Sequence, residues 1–145
     1  MRATDILTLS PLRKHDDLAL LALRLMVGAF LIWGVWDNIE SPARVAEFET
    51  FLARHGFPYP GFMAPLSVWA QFLCGAGLVL GLLTRWAGLV CAINFVVAIL
   101  MVDMHQGIRG AFPSACLVLI GLYLATHGPG RFAVDSLFGG GGKRR

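Results

Sequence analysis

Four long apolar runs, at residues 18–36, 62–83, 86–102 and 111–126, occupy most of this chain and leave little polar sequence between them. Each is close to the roughly 17–25 residues that a helix needs to cross the hydrocarbon core of a bilayer. Lipid cannot hydrogen-bond to an exposed backbone, so only helices and closed barrels span it. Barrel strands read as short alternating segments. The runs here are continuous, which selects helices. Composition agrees: 57% of the 145 residues are hydrophobic and only 14% are charged, with a mean hydropathy of +0.68. A water-soluble domain of this length carries more polar surface. The expectation is an all-α integral membrane protein.

The connections between runs are short after the second and third, so neighbouring helices run antiparallel. The simplest packing is an up-down four-helix bundle. The net charge is +3, and its placement is informative. Arg2, Arg13, Lys14, Arg85, Arg131, Lys143, Arg144 and Arg145 fall on the side shared by both termini and the second connection. Arg44, Arg54 and Arg109 fall on the other. The positive-inside rule then predicts both termini in the cytoplasm, where the same cluster meets anionic lipid headgroups. Basic residues confined to helix flanks give no case for nucleic-acid binding. The first run carries Arg24 and ends on Trp33, Trp36 and Asp37 instead of a small-x-small cleavage site, so it is expected to stay as an anchor.

The first outer connection, residues 37–61, is the largest non-membrane segment. Ser41-Pro42 reads as a helix cap followed by proline in the first turn. Val45, Phe48, Phe51 and Leu52 recur at helical spacing. This predicts a short amphipathic helix on the outer face or across the bundle mouth, ended by Gly56 and followed by a rigid turn at 57–61. In the second run, Gly77-x-x-x-Gly81 offers a close-packing face. Residues 1–16 form a polar lead, expected as an interfacial turn or short helix. Residues 137–145, rich in glycine and ending Lys143-Arg144-Arg145, read as a flexible basic tail beyond a single membrane domain at 1–136. Cys74, Cys91 and Cys116 lie in three different runs with no C-x-x-C, which favours small apolar filling over a redox pair or metal knuckle.

Several motifs together resemble the DoxX family of small four-helix membrane proteins. The first run carries Arg24-Leu25, Gly28 and Phe30-x-x-x-Gly34-x-x-Asp37. The second carries Gln71-x-x-x-Gly75 and Leu80-Gly81-Leu82-x-Thr84-Arg85. After the fourth comes Gly128-Pro129-Gly130-Arg131-Phe132-Ala133-Val134-Asp135. The resemblance covers roughly residues 20–136. It differs at Asp37, where the family usually has lysine, and at Gln71, where it often has glutamate, so roles resting on those charges do not carry over. The resemblance implies a redox-associated inner-membrane protein. Some members resemble subunits of thiosulfate:quinone oxidoreductases, and others are linked to assemblies for thiol and oxidative-stress homeostasis. Quinone is the cofactor this implies, and soluble redox enzymes are the partners.

Within that frame two groups of polar residues stand out. Arg24 lies ~9 Å into the first run at helical rise, where it either faces the bundle to hold an anion or quinone carbonyl, or pairs with Asp135 or helix-end carbonyls. Gln71 and Asn94 lie near mid-membrane on adjacent helices, as packing glue or as a small polar pocket continuous with Arg24. At the outer face Asp37, Asp103, His105 and Arg109 come from the ends of the first and third runs. They form either a proton-moving cluster beside a quinone or a solvated rim. Trp33, Trp36, Trp69, Trp86 and Phe95 suit a quinone slot, and equally interfacial anchoring and packing. No histidine pair is placed for a haem, and the acidic residues lack metal-loop spacing. A non-catalytic scaffold recruiting soluble redox enzymes is the alternative function. A small transporter ranks below both, since repeated broken helices are lacking. The glycine-bearing helix faces suggest a homo-oligomer.

Overall fold

A computed structural model describes residues 9–138. A 3-10 segment, Ser10–His15, leads into α1 (Asp16–Glu40), followed by α2 (Pro42–Arg54), α3 (Pro60–Leu80) and α4 (Thr84–Met101). A second 3-10 segment, Asp103–Gln106, opens α5 (Gly107–His127), and a single turn, α6 (Asp135–Phe138), follows. There is no strand among the described residues. Four helices are long and apolar enough to cross a membrane: α1, α3, α4, and α5 together with its 3-10 lead. They form the expected up-down bundle, with α2 as the amphipathic helix between the first two spans. Of the segment expected as a tail from residue 137, Leu137 and Phe138 belong to α6; residues 139–145, like residues 1–8, lie outside the described part.

The helix ends follow local chemistry. α1 continues to Glu40, so Asp37 and Asn38 are helical and not part of a loop. Pro42 starts α2 and Pro60 starts α3, each where a missing N–H costs nothing. α3 stops at Leu80 because Gly81 takes a left-handed conformation, φ 69°. Gly81 N–H then donates to Leu78 O (3.3 Å) and Leu82 N–H to Gly77 O (2.8 Å), the paired pattern of a Schellman cap. Gly81 is therefore a terminator as well as a close-packing position: Gly77 approaches Ala87 of α4 and Gly81 approaches Ala133, so the two glycines pack against different partners and not against one facing helix.

Other glycines take that role. A Cβ on Gly28 (α1) would stand 2.7 Å from Gly75 O (α3), and one on Gly75 would stand 2.7 Å from Gly28 O. The same reciprocal contact joins Gly88 (α4) to Gly121 (α5), at 2.5 and 2.6 Å. Two backbone-to-backbone crossings thus define two tight pairs, α1/α3 and α4/α5. In lipid, where tails are as apolar as side chains, close backbone approach of this kind is a main source of helix association. The pairs meet across the α3–α4 turn, where Gly77 faces Ala87. Leu20, Val27 and Leu31 of α1 share one core with Leu78 (α3), Cys91 (α4) and Leu124 (α5). Outward-facing residues such as Trp33, Phe62, Trp86 and Leu119 are exposed, as lipid-facing side chains are.

Candidate functional site

The end of the bundle that carries the chain termini is held by charged side chains bonded to helix ends. Arg24 is 1% exposed. Its Nε donates to Leu78 O (3.1 Å) in the last turn of α3, and its Nη1 donates to Pro129 O (2.5 Å) and Phe132 O (2.9 Å) in the segment after α5. Asp135 accepts from Leu83 N–H (2.7 Å) and Thr84 N–H (2.9 Å), the first amides of α4. Arg85 donates to Ala125 O (2.9 Å) and Thr126 O (2.8 Å) at the end of α5. Val134 and Asp135 amides donate to Leu80 O and Gly81 O, and Arg131 N–H donates to Asp17 Oδ1. Helix ends leave four amides or carbonyls without intrahelical partners, and in a membrane those groups have no water to turn to. The Gly128–Asp135 segment, Arg24 and Arg85 satisfy several of them at the end of α3, the start of α4 and the end of α5. The partners of Arg24 are thus backbone carbonyls, one at the end of α3 and two in the segment after α5.

The opposite end is open. A cavity of about 570 Å³ lies between α2, α3 and α4 and reaches Ser114 of α5. Its walls are mostly apolar, with Phe48, Phe51 and Phe57 on the α2 side and Leu66, Ile93 and Val97 on the spans. On one wall sits a polar group of three. Gln71 Nε2 donates to Ser67 Oγ (3.2 Å), and Ser67 Oγ donates to Asn94 Oδ1 (3.0 Å). Gln71 Oε1 and the Asn94 amide N–H groups make no hydrogen bond among the described residues, so both can serve an occupant. Ser67 was not singled out from the sequence, although its position four residues before Gln71 puts it on the same helix face. Beneath this group Cys74 and Cys91 are buried as free thiols around a small void shared with Leu31, as small apolar filling.

The predicted site residues separate into three places. Gln71, Asn94 and Asp103 line the cavity. Arg24 does not; it is bonded into the opposite end, so the pocket is not continuous with it. The predicted outer cluster does not converge. Asp37 faces Arg44 Nη2 at 3.8 Å, and Arg44 Nη1 meets Glu47 at 3.0 Å, in a separate surface recess. Glu47, with Asp37, pushes the Arg44 guanidinium above its ordinary pKa. His105 and Arg109 are exposed. Asp37, near the end of α1, lines the surface recess with Gly34 and Arg44, whereas Asp103 follows α4 along the cavity wall; Phe48 and Phe51 border both. No metal-binding cluster occurs among the described residues.

The DoxX family model matches residues 19–104, more than half of the chain. The chain belongs to the DoxX family. All of the DoxX match lies between the start of α1 and Met104, so it contains Arg24, the Gly28–Gly75 crossing and the polar wall of the cavity. The chain is also similar to the inner membrane protein YqjF of Escherichia coli (strain K12), at 27% identity over 130 residues, which covers 87% of this chain and 96% of that protein. No solved structure matches.

Proposed function

We propose that this DoxX protein is an inner-membrane component of a redox or thiol/oxidative-stress system, and that it holds a lipid-like small molecule, a quinone in the first instance, between α2, α3 and α4. The observation that carries this reading is the cavity. It is largely apolar, of small-molecule size, and has a few convergent polar groups on one wall, the usual make-up of a ligand pocket. Gln71 and Asn94 offer an acceptor and donors to the oxygens of a quinone ring, while Leu66, Ile93 and Val97 suit an isoprenoid tail. The likeness to an inner membrane protein supports that location. Lys14, Arg85 and Arg131 at the termini-bearing end support a cytoplasmic orientation of that end.

A binding titration tests the reading. Protein purified in mild detergent should retain quinone through extraction, or bind a short-chain benzoquinone saturably, and Gln71→Leu with Asn94→Leu should weaken that binding by about tenfold or more. Protein that neither retains nor binds quinone sinks the redox-ligand reading. A non-catalytic scaffold for soluble redox enzymes is then favoured, because Arg24, the most deeply buried charge, is bonded to backbone carbonyls and not to the cavity.

A further inference from the structure

The two polar features of the cavity differ in chemistry. The Ser67–Gln71–Asn94 group is neutral and largely bonded to itself. Asp103, at the start of the 3-10 segment after α4, stands on the same cavity wall, nine residues and so ~13 Å further along. Its Oδ2 is buried and has no hydrogen-bond partner among the described residues. The ion pairs among those residues are the ones Arg44 makes with Asp37 and Glu47. The basic neighbours in the chain, His105 and Arg109, are exposed, and neither is within ion-pair distance of Asp103. Phe48, Phe51 and Phe57 also line the cavity.

A carboxylate is an acceptor only, and leaving one of its oxygens buried without a donor is costly. Aromatic rings in the same lining favour a cation and give nothing to an anion. We propose that the cavity selects its occupant by the end group: it takes a single-chain amphiphile whose ammonium or hydroxyl end donates to Asp103, and rejects one that ends in a carboxylate. Oδ2 is turned away from solvent, so a donor reaches it when the carboxylate swings about its soft terminal torsion. This rests on the cavity being a binding site, as in the reading above, and adds the sign of the group it recognises. The phenolic hydroxyl of a hydroquinone meets the requirement at Asp103, whereas a quinone carbonyl, an acceptor, is served by the Asn94 amide on the same wall.

The test uses the full chain in phosphatidylcholine nanodiscs, with dodecylammonium, dodecanol and dodecanoate as probes and empty discs as the baseline. Wild-type protein should bind dodecylammonium about tenfold more tightly than dodecanoate, with dodecanol between. Asp103→Asn should remove most of that preference, and Asp103→Glu should keep it. Equal binding of the three probes, or a preference for dodecanoate, overturns the selection, and wild-type protein alone decides this if the Asn variant does not fold. A preference that survives in a folded Asp103→Asn protein also overturns it. Wild-type protein that takes up none of the probes and no quinone overturns the binding site itself together with the selection.

Discussion

The two ends of this bundle solve the same problem in opposite ways. At the termini-bearing end, the end of α3, the start of α4 and the end of α5 are stitched together by Arg24, Arg85, Asp135 and the Gly128–Asp135 segment, and both glycine crossings lie in the same half or at mid-span. At the other end α2 lies across the mouth, its Phe48, Phe51 and Leu52 border a cavity, and charged residues such as Arg44 and Glu47 pair at the surface. At the first end the polar groups are bonded to backbone. The second keeps polar groups available for something else. On the function proposed above, stability and binding fall to different halves of the bundle.

That division can be broken by substitution. The largest effect is expected for Arg24→Ala, which strips donors from Leu78, Pro129 and Phe132 carbonyls in a buried site. A loss of about 3–5 kcal/mol is expected, as for removing one member of a buried charged network. It would be seen as a large drop in thermal midpoint in detergent. Because Arg24 is remote from the cavity, whatever protein still folds should bind quinone with unchanged affinity; a specific loss of binding at full stability would place Arg24 back in the pocket. Next comes Gly75→Val, which drives a branched side chain into Gly28 O and Ile32. Overpacking of this kind costs typically 1–3 kcal/mol, and Gly34→Ala, with open space around its Cβ, is the silent control.

Asp135→Ala removes the acceptor for two N-terminal amides of α4 and should cost about 0.5–2 kcal/mol, with Asp135→Asn milder. Hydrogen exchange should show the loss at residues 83–85 and not around the cavity. The smallest effect on stability is expected from Gln71→Leu, since a hydrogen bond between side chains in a membrane interior averages about 0.6 kcal/mol. That variant should lower ligand affinity while leaving the thermal midpoint nearly unmoved. If instead it unfolds the protein as Arg24→Ala does, the two ends are not divided in the way described.

Some of this was readable beforehand for a clear reason. Hydropathy and length decide membrane crossing, and Ser41-Pro42 with the Val45–Phe48–Phe51–Leu52 spacing marks α2 without any tertiary contact. The depth of Gln71 and Asn94 follows from counting to their shared turn, so their meeting was foreseeable. Arg24 and the outer residues were harder. Depth placed Arg24 near the pocket, yet its rotation about α1 and the return of the Gly128–Asp135 segment direct it to backbone carbonyls. Asp37 was expected beside Asp103, but α1 runs on to Glu40 and turns it toward Arg44. Gly77-x-x-x-Gly81 fitted a packing motif by spacing alone, although Gly81 is needed where the chain takes φ 69° to turn.

By itself the sequence determined the solvent, the number of spans and their alternation, because in hydrocarbon an unpaired backbone leaves a long apolar run no alternative to a helix. Only the tertiary structure decided which polar side chains share a space. Helical rise sets how deep a residue lies, but the azimuth it presents depends on which glycines let two backbones touch, and that is a property of pairs of helices and not of either one alone.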